Sequence, residues 1–137
     1  MSMIKNAVLF SLIALITFVP SIRAQSTNKK PEPRIIRLDP SANDSMEILA
    51  GPPGTSTMHS GYMVLAPGTS VGAHSTRGYE ETVIVLAGSG EMRIVNGQTL
   101  LLKPYSVAYC PPRTEHNVVN TGTDTLRYIW LVAKAMP

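Results

Sequence analysis

Three side chains set the chemical question. His74, Glu81 and His116 carry imidazole and carboxylate groups, which take up and release protons and offer lone pairs to a cation. His74 lies in GTSVGAHSTRGYEETVIVLAGSG, Gly68 to Gly90, where a histidine and two adjacent glutamates interrupt a glycine-bounded, β-branched stretch. Alternation along a strand points His74 and Thr76 the same way. A loop with Arg77 and Gly78 follows, and Glu81 opens the next strand, able to face back toward His74. His116 comes 42 residues after His74, just beyond Pro111-Pro112, at the start of HNVV. A lone histidine in a β core is usually satisfied by a hydrogen bond. Two histidines and a carboxylate at the mouths of consecutive antiparallel strands make a constellation instead.

The elements that must position them are short strands. From Arg34 onward RIIRL, SMEILA, MHSGYMVLA, ETVIVLA, EMRIV, QTLLL, SVAYC, HNVV and LRYIWLVA alternate with turn residues. That rhythm predicts an all-β barrel or sandwich. Asn96-Gly97 is a strong two-residue hairpin signal, because both residues tolerate positive φ, and Gly88-Ser89-Gly90 reads as a second tight turn. ETVIVLA, EMRIV and QTLLL are therefore expected to form an antiparallel meander. In EMRIV, Met92 and Ile94 alternate with Glu91 and Arg93, one buried face and one wet. ETVIVLA and LRYIWLVA are apolar on both faces, so the second face needs cover, from another sheet or from a second copy of the chain. The expectation is a homodimer.

The rest of the chain bounds the answer. Lys5, the 13-residue apolar run Ala7–Val19, Pro20 and the small residue Ala24 read as an export signal spanning 1–24. The run falls short of the roughly 20 residues that cross a bilayer as a helix. Cleavage after Ala24 would leave a protein in the periplasm or outside the cell, with no stable membrane association. Residues 25–33, QSTNKKPEP, are too polar to repay their ordering entropy and form a flexible lead. Residues 34–137 suit one domain with one core. Without Lys5 and Arg23 the chain has 10 basic residues against 9 acidic, a balance that calls for no nucleic acid. Cys110 is the single cysteine, so no internal disulfide is available and it reads as a small buried hydrophobe.

The spacing resembles that of the cupin family. The family's first motif, G-x5-H-x-H-x(3,4)-E-x6-G, is met by Gly68, His74, Glu81 and Gly88, with Thr76 in place of the second histidine. Its second motif, G-x5-P-x-G-x2-H-x3-N, is met by Pro111, His116 and Asn120, while Tyr105 and Arg113 replace its glycines. The resemblance implies a conical antiparallel β-barrel of the jelly-roll type with a site in its interior. It also implies a divalent ion, iron, manganese, zinc or nickel, held by His74, Glu81 and His116. Two imidazoles and a carboxylate on one face of an ion leave positions open for water or substrate. Only Glu81, not Glu80, leaves six residues before Gly88.

Around that set, Thr76, Tyr79 and Arg113 are the candidates for substrate contact, Thr76 through its hydroxyl and Arg113 from a loop at the mouth beside Arg77. His59 reads as a hydrogen-bonded surface histidine, with approach to the site as a substitute ligand the alternative, and Met63, Tyr109 and Trp130 as core or pocket wall. The functional expectation is an exported cupin that binds a metal and acts on a small polar molecule by oxygenase, isomerase or lyase chemistry. The alternative is a metal-free module that binds a small-molecule ligand.

Overall fold

The computed structural model describes residues 30–135; the segment read as an export signal and most of the lead lie outside them. No helix occurs among the described residues. Nine strands do: β1 Met46–Ala50, β2 His59–Leu65, β3 His74–Ser75, β4 Tyr79–Ala87, β5 Gly90–Ile94, β6 Thr99–Leu102, β7 Val107–Cys110, β8 Glu115–Val119 and β9 Leu126–Lys134. They form a five-stranded sheet ordered β1-β2-β9-β4-β7 and a four-stranded sheet ordered β3-β8-β5-β6, with every pairing antiparallel. The expected all-β jelly roll is present. Its two sheets face each other without hydrogen-bonding into a closed barrel.

The meander is corrected. The Asn96-Gly97 hairpin joins β5 to β6, Asn96 at φ 55° and Ile94 N–H donating to Gln98 O at 3.0 Å. Gly88-Ser89-Gly90, however, carries the chain from one sheet to the other, and β4 pairs with β7 and β9 instead of β5. The two glycines serve close approach: a Cβ on Gly88, at φ 77°, would sit 2.5 Å from Thr125 O, and one on Gly90 would meet Val119 O. RIIRL is corrected too. It forms no strand, and Ile35 is 85% exposed. With Ile35 and Ile36 exposed and Leu38 only half-buried, the segment buries too little apolar surface to repay the ordering of an edge strand.

Register sorts the five-stranded sheet into rows that cross it. On the inner face the first row is His59, Val132, Glu81 and Cys110; the second is Gly61, Trp130, Val83 and Ala108; the third is Met63, Tyr128 and Val85. Val83, Val85, Met92, Leu102, Val118 and Leu126 are the dry heart of the core, at 0–1% exposure. The opposite sheet closes over it with Met92 and Val118, partners across β5 and β8. A polar first row above apolar second and third rows places the chemistry at one end of the sandwich.

Tyr109, expected as core or wall, points the other way: it is 53% exposed and donates its hydroxyl to Glu80 at 3.0 Å on the outer face. That face is the second apolar surface of β4 and β9. Val107 and Leu86 stand exposed on it, and part of it near β2 is covered by the chain's own loop, where Arg127 reaches Ala42 O and the Tyr62 hydroxyl.

Candidate metal centre

Strand pairing delivers the three residues. His74 and His116 are direct partners across β3 and β8, their ring centroids 4.6 Å apart. Glu81 reaches them from β4 on the facing sheet. One potential ligand atom from each of His74, Glu81 and His116 lies within 4.8 Å of the others. Donor distances of about 2.0–2.2 Å make that a spread one ion bridges with small side-chain rotations. His116 is fully buried and Glu81 is 6% exposed, while His74 stands at the open side.

Each histidine is oriented by a carbonyl two residues before it. His74 Nδ1 lies 3.0 Å from Gly72 O, and His116 Nδ1 lies 3.1 Å from Thr114 O. A carbonyl only accepts, so each Nδ1 carries the hydrogen and each Nε2 of a neutral ring is left with a lone pair. Such fixing of the tautomer is what ligating histidines require. His116 Nε2 is 3.1 Å from Glu81 Oε2, yet the two atoms do not align as a hydrogen bond, and both are buried without another partner. Two lone-pair-bearing atoms held this close in a dry place need a cation between them, a proton or a metal ion. The donor set therefore fits a divalent ion.

Electrostatics follow the same geometry. The Glu81 carboxylate raises the His116 pKa above its ordinary value; burial opposes this, and the Thr114 carbonyl adds to it. Cys110 lies behind the ring, Sγ 3.2 Å from His116 Nδ1, and burial, then the Glu81 charge, pushes its thiol pKa up. It stays a thiol and acts as packing. Burial, with Glu81 adding, likewise raises the Tyr128 phenol and keeps it protonated.

The cluster opens into a cavity of about 400 Å³. His74, Thr76 and Glu81 line its polar end, and Met63, Trp130, Tyr128, Val71 and Val118 are among its walls. Thr76 donates its hydroxyl proton to Tyr79 O at 2.7 Å and so closes the turn between β3 and β4. Tyr79 and Arg113 are not among the lining residues. Arg113 sits on the neighbouring loop, where its N–H donates to Arg77 O at 2.7 Å. Tyr105 and Arg113, which replace motif glycines, hold φ of 64° and 60°, so the backbone keeps the left-handed conformation that glycine ordinarily serves. Asn120 is structural: its amide donates to Leu65 O and Asp124 O and accepts from Gly122 N–H.

His59 is the residue that sequence reasoning misplaced. It lines the cavity, its ring edge-on to Tyr79 at 6.0 Å and pressed against Gly51, where a Cβ would collide with it. The signal was available in the alternation His59, Gly61, Met63, Leu65, which puts the histidine on the face of the apolar residues.

The comparisons agree with this architecture. A profile of the cupin domain (Cupin_2) matches residues 61–132, and the chain belongs to the cupin family. Among solved structures it is similar to a Cupin 2 conserved barrel domain protein from Salinispora arenicola, with 23% identity over 76% of this chain and 91% of that one, at a TM-score of 0.62. It is similar also to a predicted oxalate decarboxylase from Thermotoga maritima, with 22% identity over 73% of this chain and 100% of the other, at 0.55. The cupin domain of Schizosaccharomyces pombe Cnp3 aligns with 16% identity and a TM-score of 0.60 over 66% of this chain, which spans 64% of that one. No curated protein matches the chain.

Proposed function

We propose that the protein is an exported cupin that binds one divalent metal ion through His74, Glu81 and His116 and acts on a small molecule seated in the adjoining cavity. The observation that carries the reading is the buried, unpartnered pair His116 Nε2 and Glu81 Oε2, 3.1 Å apart, with His74 beside it. A bound ion would supply Lewis-acid or redox chemistry at that point. The chain's own residues orient both imidazoles through Gly72 O and Thr114 O, exclude water on the His116 side, and leave access from the His74 side.

A second reading has its own support. If His116 carries a second proton, it forms an imidazolium facing the Glu81 carboxylate, and the cavity serves as a metal-free binding module. Metal content separates the two. The purified protein, incubated with zinc, manganese, iron(II) or nickel and then freed of unbound ion, is expected to retain about one equivalent of at least one of them. His74→Ala and His116→Ala are expected to lose it. A folded parent that retains none of the four contradicts the metal reading and favours the second. Export is supported by the apolar run before Ala24, and self-association by the exposed Val107, Leu86 and Tyr109 on the outer face.

A further inference from the structure

The three donors account for one end of the cavity; its walls speak to what lies against them. From the Glu81–Val132–His59 row, successive inward rows are about 7 Å apart along the strands, and they bring Trp130, then Met63 and Tyr128, to the lining. Val71 and Val118 face these from the opposite side. Among the described residues no lysine or arginine lines the space. A divalent ion with Glu81 ionised and both histidines neutral leaves one net positive charge at the cluster. That charge matches a single anionic oxygen.

The second charge of an extended dicarboxylate, too long to close a small chelate ring on the ion, would lie mostly against apolar wall, and so would most hydroxyls of a sugar. Each buried polar group left unpaired costs about 1–3 kcal/mol. An apolar ring does better: an engineered apolar cavity of roughly 150 Å³ already takes benzene, and here the volume is about 400 Å³ with an indole for a wall. Trp130 is fixed in that role. Its ring lies across Gly61, where a Cβ would be 2.5 Å from Nε1 and 2.6 Å from Cε2. His59 stands two strands from Glu81 in the same row, about 10 Å away at the backbone, and lines the cavity with no side-chain hydrogen bond among the described residues, which places it to meet a polar substituent.

We infer that the cavity takes a compact aromatic monoanion, a carboxylate or phenolate, with its charged oxygen at the His74–Glu81–His116 cluster, its ring against Trp130 and Met63, and a ring substituent directed to His59. The inference rests on the metal-binding reading and names the ligand class for that site. It departs from the polar molecule expected from sequence, because only the cluster end of the cavity is polar.

The test titrates the zinc-loaded protein with benzoate, 4-hydroxybenzoate, glutarate and glucose, by calorimetry and by the fluorescence of Trp130, the chain's one tryptophan. Benzoate is expected to bind at least about tenfold more tightly than glutarate or glucose, and to change the Trp130 emission, since one ring's wall contact is worth about 0.5–1.5 kcal/mol beyond its buried area. Trp130→Phe keeps an aromatic wall and is expected to retain most of the affinity. Met63→Gln puts an amide into the wall and is expected to lower it by about tenfold. 4-Hydroxybenzoate is expected to bind more tightly than benzoate, and His59→Phe to erase that difference. Glutarate or glucose binding more tightly than benzoate to protein carrying stoichiometric zinc overturns the proposal while leaving the metal reading intact, as does benzoate binding that ignores Met63→Gln. Failure to retain zinc or any other of the four metals is the separate result that removes the metal reading, and this inference with it.

Discussion

Replacing Gly61 by alanine tests the placement of the cavity wall. The added Cβ would stand 2.5, 2.6 and 2.7 Å from Nε1, Cε2 and Cζ2 of Trp130, where unstrained non-bonded atoms keep about 3.5–4.0 Å. The indole must retreat by about an ångström, and it is flanked by the β4 residue Val83, which is fully buried. Overpacking of this kind costs about 1–3 kcal/mol. Loss of glycine's unfolded-state freedom in a strand gives back about 0.5–1 kcal/mol. The net destabilisation is about 1–2 kcal/mol, which for a domain of this size lowers Tm by roughly 5–10 °C. Thermal unfolding gives the number, and Trp130 emission reports whether the ring has moved. An alanine variant that melts at or above the parent temperature with unchanged emission would refute the account of how the indole is seated.

Other consequences are open to similar checks. In metal-free protein the raised His116 pKa means that the pair with Glu81 stabilises fully below the unfolded value, about pH 6.5, and that the contribution is lost as pH rises through the folded value. Melting with a chelator present is expected to show this decline, and Glu81→Gln to flatten it; an unchanged profile in the variant would break the link. Metal affinity should run the other way, rising with pH over that window, because the ion must displace a proton. Tyr105→Gly relieves a left-handed tyrosine that is 91% exposed, and is expected to stabilise the fold by roughly 0.5–1 kcal/mol after glycine's entropy is counted. Equal or lower stability would count against strain there. Chromatographic mass is expected to be that of a dimer, and Val107→Glu, at a position 66% exposed, to shift it to the monomer.

The fold class was legible because strand alternation and turn glycines are local signals. Val83 and Val85 against Glu80 and Thr82, or Asn96-Gly97 between two short runs, declare themselves without knowledge of partners. What a glycine turn does next is not local: Gly88-Ser89-Gly90 looks like a hairpin, and only the approach of Thr125 and Val119 shows that it must switch sheets. RIIRL has strand composition, but composition does not supply an edge to pair with. At the candidate site, the Glu80–Glu81 ambiguity followed from parity, and the structure sends Glu80 outward to Tyr109 and Glu81 inward to His116. His59 was misplaced because its face depended on weighing Met63 and Leu65 two and four positions later. Arg113 and Tyr79 drew notice as loop residues near the histidines, and backbone hydrogen bonds, invisible in sequence, place them beside the cavity lining.

The most direct measurement is an anomalous difference map from crystals of the metal-loaded protein. The account predicts one peak, about 2.0–2.2 Å from Nε2 of His74, Nε2 of His116 and a carboxylate oxygen of Glu81, with its remaining positions turned toward Trp130 and Met63. A peak coordinated elsewhere, or clear density for His116 and Glu81 joined directly with no ion between them in metal-saturated crystals, would contradict it.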